Sequence, residues 1–377
     1  MRRRHLLVAL ALAALAALGG SASSARAGSS SVHVSVVVSG LDNPRDLAFG
    51  PGGLLYLAEA GHGGSQCISG GPEGDTCGGL TSKISIVDVT GHHVRRIVTG
   101  LASVAGRDGS FATGVDGISV LGPTQIYGIE TGTRDFIGNS DFTPGLRAKL
   151  RAQLGRLIVA STDGSWSTVA DVGHRDFVWS SNHKNLVPGQ FPDANPYGVF
   201  ATHNAQWVVD AGTNTIDRID ASGVHVLKFI PNPPVSSDAV PTCIDRGPDG
   251  AFYISQLTGG GNPPGSANVW RFAPGEMHPL TIWARGLTAV TGCGFDSHGN
   301  FIAVEFSKLG LDHAAPGTGR VVWVPAHSTH PTVIVGGLNF PGGFAGGPDG
   351  ALYVSNWSIA PAHNGGGPTG QVLRITH

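Results

Sequence analysis

The apolar and polar residues of this chain follow one phrase that recurs six times. Each copy has an apolar run, a tight turn rich in Pro, Asp and Gly, and a second apolar run centred on an aromatic or equivalent residue. Short runs around such turns are typical of two antiparallel β-strands. The central positions are Tyr56, Tyr127, Trp207, Tyr253, Ile302 and Tyr353. The pattern predicts a repeat protein with one β unit per copy.

A third apolar run follows every copy, and a fourth run follows the first five copies. The sixth copy lacks the fourth run, but the segment 32–41, VHVSVVVSGL, has the same pattern and precedes the first copy. We therefore predict an all-β, six-bladed β-propeller with four-stranded blades. In this fold the N-terminal strand, 32–38, pairs with 371–376 and completes the last blade. Such closure leaves no free sheet edge between the first and last blades.

The spacing of the six central positions predicts two insertions, around residues 132–153 and 173–194. In the first, Thr143 as N-cap and Pro144 at the first helical position predict a short helix.

The second insertion is expected to form a long loop over the face where the innermost strands begin. Aromatic side chains beside His and charged residues suit a lid over a small ligand, and the candidates are His174, Trp179 and His183. The alternative is that its aromatic residues serve to anchor the loop on the blades.

Composition narrows the classes of protein that the chain can belong to. Hydrophobic residues make up 41% and the formal net charge is −2, which excludes disorder driven by charge. The same near-zero charge gives no electrostatic basis for binding nucleic acid. We expect one propeller domain over residues 28–377, acting as a monomer with a small molecule or a protein as its partner.

Residues 1–27 have the pattern of a secretory signal peptide. Arg2-Arg3-Arg4 precedes the apolar run Leu6–Leu18, which is too short to span a bilayer. Ala25-Arg26-Ala27 is a small-x-small cleavage site, so the mature chain is predicted to begin at Gly28. We therefore predict a secreted, extracytoplasmic protein. The arginines fit both the general and the twin-arginine export routes.

The four cysteines of an exported chain are expected to form two disulfides. Cys67 and Cys77 bracket a Gly-rich loop. Cys243 and Cys293 fall at equivalent places on the predicted innermost strands of neighbouring blades, which is close enough for a bridge. A zinc site is the alternative, but the chain has no CxxC pair and no clustered histidines.

A polar residue lies three positions after each central position of the repeat. These residues are Glu59, Glu130, Asp210, Gln256, Glu305 and Asn356. Because equivalent strand ends meet on one face of a propeller, we predict that they form a ring. A carboxylate-rich ring suits a hard cation such as calcium, which could activate a water molecule. The alternative is structural: each side chain accepts backbone N–H groups at the start of its own loop.

The innermost strands begin with small residues in most copies, but larger polar residues interrupt this pattern. They are Arg45, Asp46, Asp116 and Tyr197. The repeat does not require these residue types, so they are candidates for a functional channel mouth. Arg45 and Asp116 could equally form a plain ion pair across the mouth.

The repeat resembles those of the NHL and gluconolactonase-like six-bladed propellers. The opening GLDNPRDLAFGPGGLLYLAEAGHGG (40–64), the cysteine-bracketed loop and VRRIVTGLAS (94–103) are similar to the ScyD/ScyE family, and the resemblance spans about residues 32–377. It implies an exported propeller without a settled activity. Some family members end in a sorting and membrane-anchor tail, whereas this chain ends at QVLRITH, so we expect no membrane anchor.

Two functions from different classes remain open. The first is a binding propeller whose loop-bearing face holds a small molecule or a protein partner. The second is a metal-assisted hydrolase or lactonase of gluconolactonase-like type, with Glu59, Glu130, Asp210 or Glu305 as ligands or general base. Catalysis needs a few carboxylates with distinct pKa values, and the six-fold ring provides little asymmetry. We favour the binding function.

Overall fold

The computed structural model of the chain describes residues 31–71, 74–186, 192–232, 238–273, 279–359 and 368–377. The predicted signal peptide, residues 1–27, and part of the second insertion lie outside the described residues. Among the helices within these ranges, none is long and apolar enough to cross a membrane.

Six antiparallel sheets follow one another along the chain and form the predicted six-bladed β-propeller. The strands are β1 (His33–Leu41), β2 (Pro44–Phe49), β3 (Leu55–Glu59), β4 (Gln66–Gly71), β5 (Gly74–Asp88), β6 (His93–Gly106), β7 (Val115–Gly122), β8 (Gln125–Glu130), β9 (Arg156–Ala160), β10 (Trp166–Asp171), β11 (Pro196–Ala201), β12 (Gln206–Asp210), β13 (Thr215–Asp220), β14 (Gly223–Phe229), β15 (Pro241–Arg246), β16 (Phe252–Gln256), β17 (Ala267–Phe272), β18 (Thr281–Leu287), β19 (Val290–Phe295), β20 (Phe301–Glu305), β21 (Gly319–Val324), β22 (Thr332–Leu338), β23 (Phe344–Gly346), β24 (Leu352–Asn356) and β25 (Gly370–Thr376). Blade one contains β2 to β6, and each of the next four blades contains four consecutive strands. The helices are α1 (Pro144–Gln153) and α2 (Val172–Asn182), and a 3-10 turn spans Arg134–Phe136.

The N-terminal strand closes the propeller as predicted. β1 pairs with β25, from His33 opposite Thr376 to Val38 opposite Val372, and so becomes the outermost strand of blade six. The side chains of Val37, Val38 and Leu41 are buried in a cluster that also contains residues of blade one. The innermost strands β2 and β23 are in contact as well, so the first and last blades meet at both their inner and outer edges.

The tight turn of the repeat is stabilised by the residues that define it. In blade six the Asp349 carboxylate accepts hydrogen bonds from the Ala351 amide (3.2 Å), the Tyr353 hydroxyl (3.1 Å) and Arg374 Nε (2.8 Å). Gly350, with φ 77°, occupies the left-handed position that the turn requires. Blade four repeats the arrangement around its own turn, so the aromatic residue of the repeat fixes the turn as well as filling the core.

Blade one extends beyond the predicted pattern. β5 has 15 residues and β6 has 14. The first residues of β5, from Gly74 to Gly78, also pair with β4, a strand that the repeat does not predict. This extension packs on α1, and the contact is close at Gly78, where a Cβ atom would lie 2.9 Å from the Phe142 ring. The helix predicted from Thr143 and Pro144 is therefore present, and it covers the extension of the preceding blade.

The second insertion differs from the predicted long loop because its first part is helical. α2 begins after Asp171, whose carboxylate caps the helix by accepting a hydrogen bond from the His174 amide (3.3 Å). The helix packs against the 3-10 turn, β9 and β14, so contacts with two blades stabilise a segment with little helical patterning of its own.

Both predicted disulfides are present: Cys67–Cys77 within the extension of blade one, and Cys243–Cys293 between blades four and five. The described residues contain no free cysteine. The expected equivalence of Cys243 and Cys293 is wrong by one residue, because Cys243 pairs two positions after the central residue Tyr253 and Cys293 pairs one position after Ile302. The Cα atoms are 5.8 Å apart and still allow the bridge. Two disulfides indicate an oxidising, non-cytoplasmic compartment.

Candidate functional site

The innermost strands converge on a narrow channel mouth. Strand pairing places one residue per blade at the same level there. In blade five this residue is Thr291, which lies in the bulge of β19 between Val290 and Gly292. The six residues are Arg45, Asp116, Tyr197, Thr242, Thr291 and Gly342. They line a cavity of about 20 Å³, a volume that accommodates about one water molecule. A larger ligand therefore has to bind above the mouth.

Arg45 and Asp116 lie side by side at this mouth. Arg45 Nε is 3.4 Å from Asp116 Oδ1, and the two side chains are 10% and 3% exposed. Burial raises the pKa of Asp116 to about 6, although the positive charge of Arg45 acts in the opposite direction. Burial also raises the pKa of the Tyr197 hydroxyl, which contacts Arg45, to about 12. The mouth thus holds a buried ion pair next to a neutral phenol.

Two further carboxylates lie deeper in the channel and link neighbouring blades. Asp46 of blade one accepts a hydrogen bond from the Ile118 amide of blade two (3.3 Å), and Asp245 of blade four accepts one from the Phe295 amide of blade five (3.1 Å). Burial raises the pKa of Asp46 to about 7 and the pKa of Asp245 to about 6. Asp245 was not among the candidates from the sequence; a carboxylate on an innermost strand, directly after the buried Cys243 and Ile244, is the signal that could have identified it.

The six residues of the predicted ring are buried at the ends of the second strands. Five of them form a hydrogen bond with the segment that enters the innermost strand of the same blade. The bonds join Glu59 to the Asp42 amide (2.8 Å), Asp210 to the Asn195 amide (2.8 Å), Glu305 to the Thr288 amide (2.9 Å), Asn356 to the Asn339 amide (2.8 Å) and Gln256 Nε2 to the Ala239 carbonyl (3.3 Å). Each bond fastens the start of its blade, as expected of structural capping.

Glu130 is the exception in this ring. Among the described residues, no group donates a hydrogen bond to either of its carboxyl oxygens, and the side chain is fully buried. Burial, together with the negative charge of Asp116, raises the pKa of Glu130 well above its ordinary value. Blade two therefore carries a buried carboxyl group without a hydrogen-bond donor beside the ion pair of the mouth, and burial favours the neutral form of this group.

The ring does not have the geometry of a calcium site. Within the part of the chain that the structure describes, no three His, Cys, Asp or Glu side chains are grouped so that they could hold a metal ion. The oxygens of Glu305 are occupied by Arg320 and the Thr288 amide, and those of Glu59 by Ser85 and the Asp42 amide. We therefore derive no catalytic step through calcium.

The three lid candidates make their contacts with neighbouring elements, and none of them lines the mouth cavity. His174 Nδ1 is 3.0 Å from Asp135 of the 3-10 turn. Trp179 stacks on His183 with 4.1 Å between ring centroids, and the Trp179 centroid lies 6.3 Å from that of Phe229 on β14. The arrangement fits the alternative in which the aromatic residues anchor the insertion to blade three.

Two exposed phenylalanines on the loop-bearing face were not among the candidate site residues from the sequence. Phe111, in the loop between β6 and β7, is 63% exposed, and Phe136, in the 3-10 turn between β8 and α1, is 50% exposed. A lone phenylalanine within a polar, Gly-containing loop is the signal that could have identified them.

The fold and the channel mouth define the class, a six-bladed β-propeller with a nearly closed axial channel. The chain is similar in structure to the gluconolactonase XC5397 from Xanthomonas campestris (9% identity, 92% of this chain and 90% of that chain, TM-score 0.53). It is also similar to a putative glucose dehydrogenase from Thermus thermophilus (15% identity, 92% and 100%, TM-score 0.52). At these identities the similarity shows the fold alone. No family model and no curated protein matches the chain.

Proposed function

We propose that the protein is an exported, ScyD/ScyE-like binding propeller that holds a partner, a protein or a small molecule, on its loop-bearing face. The observation that carries the proposal is the pair of exposed phenylalanines, Phe111 and Phe136, on two hydrogen-bonded loops of the face where the innermost strands begin. Aromatic side chains dominate the binding energy of many recognition surfaces. Since the mouth cavity holds little more than one water molecule, the partner has to lie across this face.

The backbone that presents Phe111 is held in place from two sides. Thr113 and Val104 exchange backbone hydrogen bonds of 2.7 and 2.9 Å, and the Ala112 carbonyl accepts a hydrogen bond from Arg45 of the mouth. Phe111 itself has φ 51°, a left-handed conformation that costs free energy for a residue other than glycine. A strained and exposed aromatic residue on a fixed loop supports a role in recognition, because a rigid contact loses little entropy on binding.

Phe136 belongs to a second loop that is tied to the first. The Thr131 amide donates a hydrogen bond to the Gly114 carbonyl (2.8 Å), which joins the two loops next to the mouth. The ring of Phe136 packs edge-on against Phe177 of α2, with 5.7 Å between centroids, and leaves its other side exposed. Blades one and two thus present two aromatic side chains on the same face, which supports a contact surface.

The proposal predicts that replacing both phenylalanines by serine weakens binding and leaves folding intact. Loss of two aromatic contacts of about 2 kcal/mol each corresponds to roughly a 30-fold loss of affinity per residue. The wild-type protein and the Phe111→Ser/Phe136→Ser variant, immobilised and exposed to concentrated culture medium, are compared by quantitative mass spectrometry of what they retain. A matched control is Leu54→Ser, since Leu54 is 44% exposed and lies in a β-turn of blade one. Equal retention by all three proteins contradicts the proposal.

A hydrolase is the second candidate, and Asp46 is the observation that favours it. A carboxylate with a pKa of about 7 can act as a general base near neutral pH. Asp46 also lines the mouth cavity, whose volume accommodates about one water molecule. In this function Asp46 accepts a proton from that water as the water oxygen bonds to the carbonyl carbon of a lactone on the loop-bearing face. The ring C–O bond then breaks, and the ring oxygen leaves as a hydroxyl after it takes up the proton from Asp46.

The hydrolase function predicts that lactone hydrolysis increases with pH through about 7, because the ionised form of Asp46 is the base. Asp46→Asn is expected to abolish the activity. Asp245→Asn is the matched control, because this second buried channel carboxylate is not among the residues that line the cavity. Absence of turnover across a panel of aliphatic and aromatic lactones, or turnover that persists in Asp46→Asn, excludes this candidate.

A further inference from the structure

Three buried aspartates meet where α2 lies on blade three. Asp176 comes from α2, Asp210 from the end of β12 and Asp217 from β13, and all three side chains are fully buried. The carboxyl groups of Asp210 and Asp217 lie near enough to that of Asp176 to act on its ionisation, and a hydrogen bond between two of these carboxyls requires that one of them carries a proton. Bringing three carboxylates together out of water is unfavourable unless protons or a cation neutralise them.

Among the described residues, Asp176 has no hydrogen-bond donor outside the three carboxyl groups of the cluster. Asp210 Oδ1 accepts three backbone N–H groups, and Asp217 Oδ2 accepts the Thr215 hydroxyl (3.0 Å). Among the described residues, no N–H or hydroxyl group donates to either oxygen of Asp176, to Asp210 Oδ2 or to Asp217 Oδ1. The oxygens that lack donors are those available for contacts within the cluster. A proton on Asp176 provides the missing donor.

We propose that α2 is held on blade three by a proton shared among Asp176, Asp210 and Asp217, and that α2 leaves the blade when the pH rises and the three carboxyls ionise. Burial, followed by the charges of Asp217 and Asp210, raises the pKa of Asp176 well above its ordinary value, and burial does the same for Asp217. A carboxyl whose pKa is raised in the folded state stabilises that state at low pH, and the stabilisation is lost as the pH rises through the raised pKa.

Other ionisable groups lie around α2, and their effects on a pH experiment have to be distinguished from those of the three aspartates. Arg175 of α2 is the cation whose charge acts on Asp217. The remaining titratable or charged groups on α2, at its N-cap and on the elements packed against it are Arg134, Asp135, Arg156, Asp171, His174, His225 and Lys228. Arg134 and Arg156 both bind Asp171, and His174 binds Asp135. His174, which lies on the helix, and His183, which follows it and stacks on Trp179, are the histidines that a pH experiment has to control.

Release of α2 has a direct consequence for the chain that follows it. The Ser180 hydroxyl donates to the Asp193 carbonyl (2.9 Å) and accepts from the Asp193 amide (3.2 Å), so α2 fixes the segment that leads into β11. Tyr197 of the channel mouth is the second residue of that strand. The proton-dependent contact therefore controls the position of an element next to the loop-bearing face. The proposal about α2 does not depend on whether the binding function is correct.

Hydrogen–deuterium exchange of residues 172–182, measured by mass spectrometry on the intact protein between about pH 5 and about pH 9, tests the proposal over the range of pKa values that buried carboxyls reach. After correction for intrinsic exchange, protection of α2 is expected to fall by up to about tenfold per pH unit for each proton released. Asp176→Asn keeps an N–H donor and is expected to remove this pH dependence. His174→Gln is the matched control on the same helix and is expected to retain it.

An infrared band of protonated carboxyls that is weaker in Asp176→Asn than in the wild-type protein at neutral pH is the second expected result, because the variant loses one such group while other buried carboxyls such as Glu130 and Asp46 remain. The exchange measurement on the wild-type protein does not depend on the folding of the variant. Protection that is independent of pH, or a pH dependence that persists in Asp176→Asn and disappears in His174→Gln, overturns the proposal. Loss of α2 protection on treatment with a chelator at constant pH also overturns it, because a cation would then replace the proton.

Discussion

A chain that begins at Asp42 is expected to lose cooperative folding, whereas a chain that begins at Val32 is expected to unfold at the temperature of the full-length protein. The difference is β1, whose pairing with β25 completes blade six. Burial of Val37, Val38 and Leu41 contributes about 5 to 9 kcal/mol at about 1.5–3 kcal/mol per side chain. Natural domains are stable by about 5–15 kcal/mol in total, so removing β1 takes away between about a third and all of this margin.

Circular dichroism and calorimetry of the two truncated chains measure the effect. A point variant separates closure of the ring from loss of chain length: Val38→Asp places a charge in the buried cluster between blades one and six. Val36→Asp is its matched control, because Val36 lies two residues away on the same strand and is 49% exposed. Cooperative unfolding of the chain that begins at Asp42, at an unchanged temperature, would falsify the role of β1 in closing the propeller.

Arg45→Met is expected to lower the free energy of unfolding by about 3–5 kcal/mol at pH 7, the range found when one partner of a buried ion pair is removed. Asp116 would lose the cation 3.4 Å away and would have to be buried either as an uncompensated charge or with a bound proton, and the Ala112 carbonyl would lose its donor. The pKa of Asp116, already raised to about 6 by burial, would rise further. Because a raised carboxyl pKa favours the folded state at low pH, the destabilisation should shrink as the pH falls and Asp116 binds a proton.

Urea unfolding at pH 7 and at about pH 5 measures this dependence. Arg45→Met/Asp116→Asn is expected to recover part of the loss, since it removes the uncompensated charge. Arg107→Met is the matched control: Arg107 pairs with Asp75 at 2.6 Å, but the two side chains are 64% and 34% exposed, so no measurable change is expected. Equal effects of Arg45→Met and Arg107→Met would show that burial does not set the strength of the mouth ion pair.

The repeat made most of the fold predictable. A central residue such as Tyr353 lies on the second strand of every blade, and in blades four and six the hydroxyl of this residue contacts the Asp of the turn. The position of β1 could be predicted because the last copy of the repeat lacks its fourth strand, and an additional strand with the same pattern precedes the first copy. These features depend on local pattern and symmetry, and both are visible in a single sequence.

The departures from the repeat were not predictable in the same way. α2 has Ser180, Ser181 and Asn182 in its last turn and Gly173 in its first, so the helix depends on contacts with blades two and three and on its Asp171 cap. The Asp176 cluster depends on the same docking, because its members are separated along the chain and come together in the folded state. The one-residue error at Cys293 arose because glycine recurs at the start of these strands, whereas pairing with β20 decides the register.

The pairing of β1 with β25 also sets the order in which the protein can fold. Leu41 and Gly370 are partners in the ladder, so β1 has no partner strand until nearly the whole chain has been made. At about 5–20 residues per second, synthesis of the intervening chain takes on the order of 20–60 seconds. During this time the valine-rich strand HVSVVVSGL is an unpaired edge that can associate with other chains. The N-terminal strand therefore depends on the last strand of the chain for its partner, and the ring of blades cannot close before the whole chain has been made.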